Sequence, residues 1–158
     1  MVHSFTISPK APYSFDLTVA RFLRFDTELI DIVDGNRYRR LLAVGRQLAL
    51  ATVTNTGTVA KPQLHVALTG PAKTDLKRPE FAVQLRHILS TDFDLKPFYR
   101  LARKDDLLAQ CAIRFRGLRI TSSPTLFEAL VVAVLAQQVN LTFAYSIKKE
   151  LVETFGRK

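Results

Sequence analysis

Apolar and polar residues alternate along "VHSFTI", Val2 to Ile7, which is the period of a strand with one face turned inward. Two prolines break the pattern in "SPKAPYS". The period then becomes helical in "SFDLTVARFLRF", with Phe15, Val19, Phe22 and Leu23 on one stripe and Ser14 placed to cap it. Three extended segments follow: "ELIDIV", "RYRRLLAVG" and "RQLALATVT". Turn residues mark their ends at "DGN", 34 to 36, and "NTGT", 55 to 58. "KPQLHVALTG" is a further strand, with Leu64, Val66 and Leu68 on one face. His65 points the other way, a solvated strand residue with no sequence partner that suggests a ligand role. A helix fits "RPEFAVQLRHILSTDF", residues 78 to 93. Pro79 sits near its start, Phe81, Leu85, Ile88 and Leu89 form its buried stripe, and His87 lies off that stripe.

These patterns predict an α+β domain over residues 1–95, an antiparallel sheet flanked by an early and a late helix. No internal repeat and no low-complexity stretch interrupts it. A second segment, 96–158, is predicted to be helical. It opens with "KPFYRLARKDDLLAQCAIRFRGLRI", which holds seven Lys or Arg against two Asp in 25 residues. Phe98, Tyr99 and Phe115 are interleaved with the basic residues. Such a stretch is either a solvated connector between domains or a phosphate-facing surface carrying Arg114, Arg116 and Arg119.

"TLFE", 125 to 128, has the spacing of a capping box, with Thr125 as N-cap and Glu128 three residues on. Phe127, Leu130, Val131, Val134 and Leu135 then follow the helical period as a buried stripe. The next position on that face is Gln138, beside Gln137. Asn140 can cap a second helix with Ala144, Ile147, Leu151 and Phe155 on its face, and Gly156 suits its C-terminal end. An apolar helix thus leads into two amides that are costly to bury unpaired. Either water solvates them or they meet a polar partner.

Composition narrows the partner. The formal net charge is +9 and the sequence pI about 10.1, which favours an anionic partner, nucleic acid first. With one cysteine, Cys111, no intrachain disulfide can form, and a reducing compartment fits. No apolar run approaches the roughly 18 residues of a membrane span. Nor does any early segment have the pattern of a signal peptide. The expectation is a cytoplasmic protein, nucleoid-associated if prokaryotic, with no membrane partner. Metal-ligand spacing, Gly-rich phosphate loops and nucleophile motifs are missing from the sequence, so neither metal nor cofactor is expected.

"GLRITSSPTLFEALVVAVLAQQVNLTFAYSIKKELVETFG", Gly117 to Gly156, resembles the opening of the helix-hairpin-helix DNA glycosylase domain, in its 3-methyladenine DNA glycosylase II branch. The Gly-Leu-Arg segment, Phe-Glu-Ala-Leu, the Gln-Gln-Val run and the closing Leu-Val-x-x-Phe-Gly occur in the family's order. "YRRLLAVG" and its surroundings resemble the family's N-terminal domain, a sheet with helices likened to half of the TATA-binding-protein fold. The resemblance implies a base-excision repair enzyme that flips a damaged nucleotide from duplex DNA and hydrolyses its N-glycosidic bond. It makes Gln138 the wedge that fills the vacated space and Gln137 its polar neighbour, with Asn140 and the three arginines as further DNA contacts. The family's hairpin loop, its catalytic aspartate and its base pocket would lie beyond Lys158, in a half that another chain could supply. No catalytic residue is assigned within these 158 residues, and Asp105 and Asp106 have no motif that would make them substitutes. The competing reading is a non-catalytic DNA-binding or assembly module.

Overall fold

A computed structural model describes residues 2–24, 29–71, 78–137 and 139–156. Five strands, β1 (Val2–Ile7), β2 (Ile32–Asp34), β3 (Arg37–Val44), β4 (Gln47–Asn55) and β5 (Leu64–Thr69), form one sheet in the order β1-β5-β4-β3-β2. Every neighbouring pair is antiparallel, as the α+β pattern predicts. The register carries the alternation across the sheet. Tyr38 faces Val53 and Val53 faces Val66, while Leu42 faces Ala49 and Ile7 faces Leu64. All of these are buried. The opposite face, with Leu41 paired to Leu50, is open to solvent.

Helix α1 (Phe15–Val19) and helix α2 (Arg78–Ile88) close the buried face with Phe15, Val19, Phe81, Leu85 and Ile88. Burying each large side chain there stabilises the fold by roughly 1.5–3 kcal/mol. Ser14 caps α1 by accepting from the Leu17 amide. The helix then tightens into a 3-10 turn, Ala20–Leu23, earlier than its apolar period suggests. Three residues per turn rotate the stripe. Phe22 still stacks on Tyr38, with ring centroids 5.5 Å apart, but Leu23 points to solvent.

Helix α2 stops at Ile88, short of the expected Phe93. Ser90 has φ 49°, the Thr91 amide bonds back to the Arg86 carbonyl and the Ser90 amide to that of His87. This is a Schellman ending with serine in the place glycine usually takes. The Ser90 hydroxyl donates to the Ile120 carbonyl at 2.6 Å, so the left-handed residue is held from outside the helix.

Helices α3 (Lys96–Ala102) and α4 (Asp106–Arg114) pack on each other. The Asp105 carboxylate accepts from the Leu108 amide, so this residue is the N-cap of α4. Helices α5 (Leu126–Leu135) and α6 (Leu141–Phe155) form a second pair. Between the pairs, residues 117–123 are strapped to the sheet domain. Ser14 donates its amide to the Gly117 carbonyl, the Ser122 amide reaches the Ile88 carbonyl, and the Arg119 amide reaches Thr18 Oγ1.

Candidate nucleic-acid interface

The hairpin of α5 and α6 is capped at both starts as its sequence predicts. Thr125 Oγ1 accepts from the Glu128 amide at 3.2 Å, and Asn140 Oδ1 accepts from the Phe143 amide at 2.8 Å. Between them α5 ends at Leu135 with Ala136 as its C-cap, and the Gln137 amide closes a last tight turn onto the Val134 carbonyl. The Gln137 side chain is exposed at the tip. Gln138, the expected wedge, lies outside the described residues. Gly156 ends α6 in an extended conformation with φ −65° and ψ 145°, which does not call on the left-handed freedom of glycine.

The expected buried stripe of α5 is largely not buried. Phe127 is 78% exposed and Leu130 56%, while Val131 and Leu135 are half covered. α5 is apolar on nearly every side, as a helix surrounded by others is. Among the described residues α6 is its main helical neighbour and Glu128 reaches β3, so much of its apolar surface stays open.

The basic segment divides into outward and inward residues. Arg114 and Arg116 are exposed, the former with its guanidinium 5.6 Å from the Phe115 ring centre. Arg116 lines a cleft of about 720 Å³ between α3 and α4, together with Lys96, Arg100 and Arg103 and a single acid, Asp94. Arg119 corrects the expectation of a phosphate contact. It is 3% exposed, and its Nη2 donates to the carbonyls of Lys10 and Phe93 at 2.9 and 3.1 Å. Its guanidinium fastens the strap and is not presented to a ligand. Gln137 and Asn140 thus share one turn, Arg114 and Arg116 belong to the other helix pair, and Arg119 belongs to neither surface.

One charged cluster has no counterpart among the sequence-based candidates. Arg40 occupies the buried face of β3 between Tyr38 and Leu42. Its Nη1 contacts both oxygens of Asp31 at 2.7 Å, and its Nη2 donates to Glu128 Oε2 at 2.6 Å. Tyr38 donates its hydroxyl to Asp31 Oδ1 at 2.6 Å. Burial opposes the Arg40 charge, but Asp31 and Glu128 override it and hold its pKa above the usual arginine value. Burial, then the Asp31 charge, push the Tyr38 phenol well above its ordinary pKa. The strand alternation does place Arg40 among apolar neighbours, and that was the available signal.

Among the described residues no group of three or more His, Cys, Asp or Glu could hold a metal ion. No described helix is long and apolar enough to cross a membrane.

Residues 31–130 match the family described as "8-oxoguanine DNA glycosylase, N-terminal domain", and the chain belongs to that family. It is 35% identical over 149 residues to a DNA-3-methyladenine glycosylase of Bacillus subtilis (strain 168), covering 92% of this chain and 48% of that protein. Its fold matches a 3-methyladenine DNA-glycosylase from Archaeoglobus fulgidus with a TM-score of 0.80 at 18% identity, over 96% of this chain and 50% of that one. The chain therefore spans about half the length of these two proteins.

Proposed function

We propose that this chain is the DNA-engaging half of a DNA repair glycosylase, acting on double-stranded DNA that contains damaged bases in the cytoplasm. The observation that carries the reading is the exposed Gln137 turn between two capped helices, in a chain of this family. Taking a nucleotide out of the stack costs a few kcal/mol. An amide that donates and accepts at once can occupy the vacated space and pair with the exposed base edges. Gln138 is the residue assigned to that space, with Gln137 beside it. The exposed Arg114 and Arg116 supply contacts to the phosphate backbone, which fix position without reading sequence.

Bond cleavage needs a carboxylate placed to stabilise a cationic sugar in a dry pocket. Asp31 and Glu128 are committed to Arg40, and Asp105 to capping α4. As the family resemblance implies, the excising group is assigned to sequence outside this half, on the same or another chain. The glycosylase names of the relatives favour this reading over a non-catalytic module. The family match names 8-oxoguanine and the relatives 3-methyladenine, so both lesions belong in the assay.

The test compares the 158-residue chain with a version completed by the second half of the family domain, on duplexes carrying each lesion. The completed protein is expected to release the base and the chain alone is not. In the completed protein, Gln138→Ala should slow excision from intact duplex more than from mismatched sites, where flipping is cheaper. Equal effects on the two substrates overturn the wedge assignment.

A further inference from the structure

We infer that Arg40 and Glu128 are a positioning pair that sets the direction of the α5–α6 hairpin relative to the sheet, and so aims the Gln137 turn. The inference rests on the reading of that turn as the DNA-inserting element. In a capping box the glutamate side chain turns back to the N-cap amide. Here Glu128 turns away from Thr125 and reaches β3 instead, where Arg40 precedes it by 88 positions in the sequence. The guanidinium is 5% exposed and the carboxylate 23%, so salt screens this contact less than it would a fully exposed pair.

Apolar packing cannot fix the hairpin by itself. Between the 3-10 turn and the hairpin lies a cavity of about 250 Å³, walled by Arg21 and Arg24 on one side and Leu135 and Ala144 on the other. A smaller one of about 40 Å³ runs beside the Arg40–Glu128 pair. A loosely filled boundary permits small rotations that a jigsaw core forbids. The bond from Arg21 Nη1 to Thr121 Oγ1 at 3.0 Å holds the strap before α5, whereas the Arg40 contact grips the helix itself.

Leverage makes the root contact matter. Gln137 follows Glu128 by nine residues, about 13 Å along a helix axis. A tilt of about 10° at the root therefore moves the tip by about 2 Å, beyond the roughly 0.5 Å tolerance of a working site. Arg40 is in turn held by both oxygens of Asp31, which Tyr38 also grips, so the anchor is fixed before it meets the helix.

The experiment uses the 158-residue chain with Cys111→Ser and spin labels at Arg46→Cys, on the β3–β4 turn, and Glu150→Cys, on α6. Both labelled positions are exposed. The parent is expected to show one narrow distance distribution. Glu128→Ala removes the pair but leaves the Thr125 cap and the Asp31–Arg40 contact, and should lose the narrow peak while its circular dichroism stays native. Glu128→Gln keeps an acceptor for Arg40 Nη2 and should retain it. A narrow, unshifted peak in Glu128→Ala overturns the inference. Arg40→Met checks the same contact from the other side, and a narrow peak there also counts against it. The DNA reading is separated by a second measurement, fluorescence of 2-aminopurine in an intact duplex. A broadened distance with unchanged fluorescence keeps the positioning pair and sinks the DNA reading of the turn.

Discussion

The guanidinium of Arg119 lies over the ring of Tyr13, 5.6 Å from its centre. The same group donates to two main-chain carbonyls, and Tyr13 donates its own hydroxyl to the Leu89 carbonyl at 3.3 Å. Residues far apart in sequence are thus gathered around one cation. Burial lowers the pKa of Arg119, opposed by Tyr99, Tyr13 and Asp94. Its basic neighbours do different work, because they face water.

That contrast predicts two separable phenotypes. Arg119→Ala leaves two carbonyls without their charged donor and should destabilise the fold by roughly 1.5–3 kcal/mol in urea unfolding. Arg114→Gln and Arg116→Gln should leave stability within about 0.5 kcal/mol. Each should instead flatten the plot of log DNA affinity against log salt by about 0.9 for every phosphate that is no longer neutralised. Unchanged slopes in both variants would make that surface a bystander.

Stability should fall on the alkaline side. Tyr13 and Tyr38 are both raised, chiefly by burial, above the ordinary phenol value near 10. A raised folded pKa gives stability that is complete below the unfolded value and is lost as pH climbs toward the folded one. Above pH 10 the unfolded chain sheds protons that the native state keeps, at up to about 1.4 kcal/mol per pH unit for each group. Denaturant titrations between pH 9 and pH 11 should show this decline, and Tyr38→Phe should make it shallower. An equally steep decline in that variant removes Tyr38 from the account.

The strands were legible because a half-buried sheet writes its period into the chain, and Leu64, Val66 and Leu68 obey it. The caps were legible because Ser14, Thr125 and Asn140 act on amides three residues away. What failed was long-range. Nothing local announces that Glu128 will leave its capping box for Arg40, since the buried charge on β3 comes from a distant element. Arg119 reads like Arg114 in a basic run, and three-dimensional packing alone turns it inward. The α5 stripe identified an apolar helix correctly, but the period cannot say how much of its cover lies in the same chain.

Asn140 separates capping from DNA contact. Asn140→Ala removes the acceptor for the Phe143 amide and should cost about 1 kcal/mol of stability. Asn140→Asp keeps the cap, and its charge suits a helix N-terminus, so stability should hold. A new anion beside the Gln137 turn should nonetheless weaken DNA binding if the turn approaches phosphate. Thermal melts and binding isotherms of the two variants check this. Full DNA affinity in Asn140→Asp would confine the residue to capping.

Gly117 provides the sharpest test of the strap. Its φ is +83°, and a Cβ there would stand 2.6 Å from the Ser14 nitrogen and 2.9 Å from the Tyr13 carbonyl carbon. Gly45, at the β3–β4 turn, has φ +59° with nothing within 4 Å. Gly45→Ala therefore bears the left-handed backbone cost alone, roughly 1–2 kcal/mol. Gly117→Ala bears a similar backbone cost and a clash with main chain that no side-chain rotation relieves. The Ser14 amide must then draw back from the Gly117 carbonyl, a 2.8 Å bond, and the Gly117 amide from Tyr99 Oη at 2.9 Å. The expected order in urea unfolding is wild type, then Gly45→Ala, then Gly117→Ala. Hydrogen exchange should show the Ser14 and Arg119 amides losing protection in Gly117→Ala, while those of β4 and β5 keep theirs. Protected Ser14 and Arg119 amides in that variant would mean that the strap is not fastened through Gly117.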